Sequence, residues 1–74
     1  MMMKLQEVKK IAEGMEKVVI FVKTEGKAYK LEVNGMIVDQ FNDEVSAMNE
    51  VAAVKRAKYL ATKLNGRWDF GGKN

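Results

Sequence analysis

Residues 28–40, AYKLEVNGMIVDQ, decide the architecture of this chain. Tyr29, Leu31 and Val33 alternate with Lys30 and Glu32, the period of a strand with one face on a core and the other on water. Asn34-Gly35 interrupts the run with the residue pair that a two-residue type I′ loop favours, because both of its central positions need positive φ. Such a loop sets the register of the returning strand. Val33 falls opposite Met36, Glu32 opposite Ile37, Leu31 opposite Val38, Lys30 opposite Asp39 and Tyr29 opposite Gln40. One face of the hairpin is then Tyr29, Leu31, Val33, Met36 and Val38, the predicted core side. The other carries a Lys30/Asp39 pair together with Ile37 and Phe41.

Upstream, Lys17 to Thr24 contains Val18, Val19, Ile20, Phe21 and Val22, a β-branched and aromatic run closed by the turn residues Thr24, Glu25, Gly26 and Lys27. This first strand is apolar on both faces. It adds either Val19 and Phe21 or Val18, Ile20 and Val22 to the outer face of the hairpin, too much apolar surface for simple solvation. Further upstream, Leu5, Val8, Ile11, Ala12 and Met15 recur at spacings of three and four, which predicts a one-sided helix stopping at Gly14. Downstream, Asp43 to Leu64 reads as one long helix. Asn42 or Asp43 is placed to cap it, with Asp43 and Glu44 at the positive end of its dipole. The order is helix, three-stranded antiparallel meander, long helix (αβββα), which predicts a two-layer α+β domain with both helices on one sheet face. Asn65-Gly66 ends the long helix. Beyond it Arg67, Trp68, Asp69 and Phe70 alternate as a short strand or an ordered tail. Residues 1–66 therefore read as the domain and 67–74 as its C-terminal tail.

Composition bounds the chemistry. The 74 residues include no cysteine and no histidine, so thiolate zinc sites, Cys/His dyads and Ser/His/Asp triads have no residues to form them. Cohesion rests on packing or self-association. Asp39, Asp43 and Glu44 cluster near the start of the long helix but lack the ordered spacing of a calcium loop, and the dispersed glycines make no phosphate cradle. The expectation is a chain that is not an enzyme and holds no cofactor or metal. Thirteen Lys and Arg against ten Asp and Glu leave a mild charge of +3, which permits contact with nucleic acid without demanding it. No apolar run reads as a signal peptide or membrane span, so a cytoplasmic protein is expected.

The long helix carries two apolar stripes. Ala53, Ala57, Leu60, Ala61 and Leu64 form a core stripe narrow enough to lie close to a sheet. Val45, Met48, Val51 and Ala52 form another, displaced by more than a quarter turn. A curved or broken helix wrapping the sheet would bury both, whereas a straight one would turn the second outward as a binding face. Charge divides in the same way: Asp43, Glu44 and Glu50 precede Lys55, Arg56, Lys58 and Lys63. Cations near a helix C-terminus compensate the dipole, and together with Arg67 they are also spaced to meet phosphates. Trp68 and Phe70 suit either packing on the sheet or stacking on bases.

In element order the chain resembles the double-stranded RNA-binding domain, and Lys55-Arg56-Ala57-Lys58 is similar to the basic stretch on that family's second helix. In the family this stretch opens the helix. Here acids open it and the cations come about three turns later, so no site residue carries over. In size and lack of motifs the chain also resembles the small inhibitor and accessory proteins of bacteriophages, anti-CRISPR proteins among them. That resemblance implies a partner within nucleic-acid machinery.

The expected function is binding through protein–protein contact, with a larger protein or nucleoprotein complex, and as a homodimer. Two surplus apolar regions are its candidate partner-binding residues, Phe21, Ile37 and Phe41 on the outer sheet face and Val45, Met48 and Val51 on the helix. The alternative is direct nucleic-acid binding through Lys55, Arg56, Lys58, Lys63 and Arg67, with Trp68 stacking.

Overall fold

A computed structural model describes residues 2–71, so Met1 and residues 72–74 of the predicted tail lie outside the described residues. The elements run α1 (Leu5–Ala12), β1 (Val19–Glu25), β2 (Ala28–Val33), β3 (Met36–Phe41), α2 (Ser46–Lys63) and β4 (Arg67–Phe70). The strands form one sheet in the order β3-β2-β1-β4, a mixed α+β fold. Val8 and Ala12 of α1 and Ala53, Ala57, Leu60 and Ala61 of α2 join Ile20, Val22, Leu31, Val33 and Val38 in one buried cluster. Both helices thus pack on the same face, and the alanines of α2 let its backbone approach the strands closely.

The turn behaves as its chemistry requires. Asn34 and Gly35 hold φ of 54° and 76°, and Val33 lies opposite Met36 and Glu32 opposite Ile37. Beyond this point the predicted register fails. A β-bulge admits Val38 as an extra residue, so Leu31 faces Asp39, Lys30 faces Gln40 and Tyr29 faces Phe41. Because side chains alternate with period two, one inserted residue turns the rest of the strand over. Asp39 and Phe41 move to the core side, and the expected Lys30/Asp39 pair does not form. Lys30 pairs with Glu25 instead.

The C-terminal residues Arg67–Phe70 become an edge strand parallel to β1, with Trp68 beside Ile20 and Phe70 beside Val22. Their aromatic side is the helix-bearing face, not the outer face. The Trp68 and Phe70 rings meet edge to face at 5.4 Å, and Trp68 packs against the core. Gly66 makes this pairing possible. A Cβ there would run into the Val18 carbonyl and come within 2.8 Å of Val18 Cβ, so any side chain would push β4 away from β1.

The outer sheet face is more polar than the sequence suggests. With Phe41 on the other side, the row across the strands reads Ile37, Glu32, Phe21, Asp69. Phe21 and Ile37 are only 38% and 37% exposed, with Glu32 between them, held by Lys23 at 3.0 Å. The ion pairs Lys23–Glu32 and Lys30–Glu25 occupy much of this face and leave Phe21 and Ile37 partly exposed beside them.

Candidate functional site

The long helix begins at Ser46 rather than Asp43, with Val45 at its N-cap and no side chain capping it. Asp43 and Glu44 precede the helix and are exposed. The segment is held instead from inside. The buried Asn49 side chain accepts a hydrogen bond from the Asp43 N–H at 2.8 Å and donates to the carbonyls of Lys27 at 2.9 Å and Asp43 at 2.8 Å. Asn49 lies four residues before Ala53 on the core stripe, and a polar residue on a buried stripe must find partners. That position was the only signal of its role in the sequence.

α2 is continuous, and its buried positions Asn49, Ala53, Ala57, Leu60 and Ala61 keep to one side. It does not bend to bury the second stripe. At about 100° per residue, Met48, Val51 and Lys55 lie directly opposite the core. Val45, Met48 and Val51 are 52%, 60% and 68% exposed. Ala47, Met48, Val51, Ala52 and Lys55 line a shallow and almost wholly apolar surface on this side.

Of the two apolar regions expected to bind a partner, the helical one stays exposed and the sheet one loses a member. Val45, Met48 and Val51 stand together on α2, Phe21 and Ile37 lie on the opposite face of the sheet, and Phe41 packs against the core. The predicted cationic set separates. Lys55, Lys58 and Lys63 are exposed, and among the described residues none has a carboxylate within ion-pair distance. Lys58 Nζ lies 6.0 Å from the centre of the half-buried Trp68 ring, and both line a shallow groove with Arg67. Lys63 Nζ is 5.8 Å from the Tyr59 ring centre. Arg67 lies 3.8 Å from Asp69 on the exposed edge.

Arg56 belongs to the interior. Its Nε donates to Asp39 Oδ2 at 3.0 Å, its second guanidinium nitrogen donates to the Met3 carbonyl at 2.7 Å, and its guanidinium carbon lies 5.1 Å from the Tyr59 ring centre. Asp39, fully buried, also accepts from the Met3 N–H at 3.0 Å. Asp39 is thus drawn away from Asp43 and Glu44. The three carboxylates expected near the helix start do not share a site, and no acidic group among the described residues is arranged to hold a metal ion.

Burial raises the Asp39 carboxyl above its ordinary value, against the downward pull of the Arg56 guanidinium and the Met3 N–H. The folded state therefore holds this proton more tightly than the unfolded chain does. The resulting stabilisation is complete below the ordinary carboxyl range and is lost as pH rises through the raised value. Urea denaturation should show wild type gaining stability relative to Asp39→Asn between about pH 7 and about pH 4. A gap that narrows on acidification would mean that the Arg56 pull outweighs burial.

Among the described residues no helix is long and apolar enough to cross a membrane. Compared with known proteins, the chain matches no family model, no curated protein and no solved structure, so its site is read from its own residues.

Proposed function

We propose that this chain is a small non-enzymatic binding protein that docks a protein partner through the outward face of α2. The observation that carries the reading is the exposure of Met48 and Val51 directly opposite the core stripe. A free surface gains nothing from methionine and valine there, whereas a partner that covers them gains about 25 cal/mol for each Å² of apolar area buried. The next turns carry the exposed Lys55, Lys58 and Lys63, which suits a partner surface that is apolar at one end and acidic at the other. An inhibitor or accessory factor of nucleic-acid machinery would use the helix in this way, seating Met48 and Val51 and laying Lys55, Lys58 and Lys63 over an acidic patch.

Tagged wild-type chain and a Met48→Lys/Val51→Lys variant, used as baits in the source cells with nuclease treatment, test this. Wild type is expected to recover a discrete protein that survives nuclease and is lost with the variant. Equal recovery by both baits would overturn the reading.

Direct nucleic-acid binding keeps one observation in its favour, the grouping of Lys58, Arg67 and Trp68 along one groove. It requires an affinity that falls steeply with salt and weakens when Lys55 and Lys58 are neutralised. Loss of the recovered protein on nuclease treatment would favour it.

A further inference from the structure

We propose that the open edge of β4 takes a second copy of this chain, the two β4 strands pairing antiparallel about Trp68. This goes beyond the docking reading of α2, whose outward side takes no part. The sheet ends at β3 on one side and at β4 on the other. At β3 the chain covers its own edge: Met2 bridges to Asp39, and the Met3 N–H donates to the Val38 carbonyl at 3.0 Å. Among the described residues no segment does the same for β4. Arg67 and Gly71 donate their N–H groups to the carbonyls of Val18 and Val22, at 3.0 and 2.7 Å. In an extended chain of planar trans peptides, the carbonyl that precedes each of these N–H groups points the other way. The carbonyls of Gly66 and Phe70, and both the N–H and the C=O of Trp68, therefore face out of the sheet. The Phe70 N–H faces out with them and is met by the side chain of its neighbour Asp69, at 2.8 Å. Such an edge is a template for another strand.

Charge selects both the occupant and the register. Arg67 and Asp69 stand two positions apart on the outer side of β4, their side chains 71% and 58% exposed and their charged atoms 3.8 Å apart, a long pair that an opposing strand can take over. Antiparallel pairing about Trp68 sets Arg67 against Asp69 of the second copy, and the two-fold axis repeats the contact. These are non-hydrogen-bonded positions, where facing Cα atoms lie about 4.5 Å apart and side chains come closest. Moving the register by two residues would set Asp69 against Asp69 or Arg67 against Arg67. One cation and one anion at this spacing thus make the strand complementary to its own copy. On the helix-bearing side Trp68 meets Trp68 of the second copy, and Phe70, 49% exposed, falls opposite Gly66 of the second copy, which has no side chain to obstruct the ring. The backbone adds reciprocal bonds between the two Trp68 residues and one from each Phe70 N–H to the facing Gly66 carbonyl. The two Lys58 side chains, each with its ammonium 6.0 Å from the centre of its own Trp68 ring, bring like charge to that side of the seam. With strands of only four residues the buried area also stays below about 1,200 Å², so the expected dimer is weak.

Sedimentation equilibrium and amide hydrogen exchange of the full chain test the partner and the seam. Wild type is expected to dimerise with a dissociation constant on the order of 100 µM. Its Trp68 and Phe70 amides should exchange more slowly as the concentration rises from about 10 µM to about 1 mM, while those of Arg67 and Gly71, already bonded within one copy, change less. Arg67→Asp and Asp69→Arg each set like charge against like, and each should weaken self-association at least about tenfold with circular dichroism unchanged. Mixed in equal amounts, the two variants place acid against base in both rows and should associate as wild type does. Met48→Lys/Val51→Lys, which alters only the docking face of α2, should dimerise unchanged. A wild type that stays monomeric at about 1 mM, or two charge variants that do not associate on mixing, overturns the proposal. A dimer whose Trp68 amide exchanges as fast as the monomer's, or one lost in Met48→Lys/Val51→Lys, overturns the seam. A monomer whose Trp68 amide slows only when a protein recovered from the source cells is added overturns the second copy as occupant of the edge.

Discussion

Asp39→Ala is expected to remove a large share of the stability of this domain. A chain of 74 residues at about 0.05–0.15 kcal/mol per residue has about 4–11 kcal/mol in all. Removing one partner of a buried ion pair costs about 3–5 kcal/mol, because the other is left charged without a counter-charge. In this protein the loss would strand Arg56, whose side chain is 18% exposed and which is also committed to the Met3 carbonyl. The pair is nevertheless not a strong source of stability in itself. Burial outweighs Arg56 in setting the Asp39 carboxyl, which is the condition under which a well-packed apolar pair does as well. Asp39→Leu/Arg56→Met should therefore be more stable than Asp39→Ala by about 2 kcal/mol or more. The Met3 N–H keeps the Val38 carbonyl at 3.0 Å as an acceptor when the carboxylate is gone. Chemical denaturation of the single and double variants measures the coupling, and a double variant as unstable as Asp39→Ala would refute the account. The pair ties three parts of the chain together: the segment before α1, the bulge in β3 and the middle of α2. Its value is better understood as specifying the bulge than as adding net stability.

Asn49→Ala carries the second large effect. It deletes an acceptor for the Asp43 N–H and a donor shared by the carbonyls of Lys27 and Asp43, at a site with 1% of the residue exposed. One buried polar group left without a partner costs about 1–3 kcal/mol, and the side chain satisfies several, so a loss of about 3 kcal/mol is expected. Asn49→Asp should not rescue it. A carboxylate keeps the bond from the Asp43 N–H but sets negative charge against two carbonyl oxygens. Amide hydrogen exchange locates the effect, since the Asp43 N–H should lose protection in both variants ahead of the amides of the sheet. If Asp43 remains as protected as Ile20 or Leu31, the side chain is not what holds this segment. Because α2 has no side-chain cap, its start and the presentation of Val45 and Met48 depend on this internal clamp. The residues offered to a partner are thus positioned by one that no partner touches.

Local chemistry made several features legible. The Asn34-Gly35 loop, the two helices, the three antiparallel strands and the buried stripe from Ala53 to Leu64 follow from turn preference and hydrophobic period, which act over a few residues. The exposure of Met48 and Val51 was visible only as one of two options, since a bent helix would have hidden them. Asp43 looked like a cap because a cap is recognised by residue type, yet the buried Asn49 took over the task from within the helix. Arg56 looked like part of a basic face because neighbouring cations flank it. Its angular position between the core stripe and the surface allowed either fate, and a buried carboxylate decided it.

Sequence by itself therefore determined the elements, their order, the tight hairpin and the face of α2 that meets the sheet. Only the tertiary structure decided the bulge at Val38, the inward turn of Asp39 and Phe41, the capture of Arg56 and the parallel seat of Arg67–Phe70 beside β1. The physical reason is range. Period and turn preference are properties of adjacent residues, whereas a buried carboxylate is tolerable only if distant groups reach it. Asp39 is met by Met3 from 36 positions away in sequence and Arg56 from 17. β4 likewise reaches β1 only because Gly66, after an 18-residue helix that recrosses the sheet, leaves room for the Val18 carbonyl.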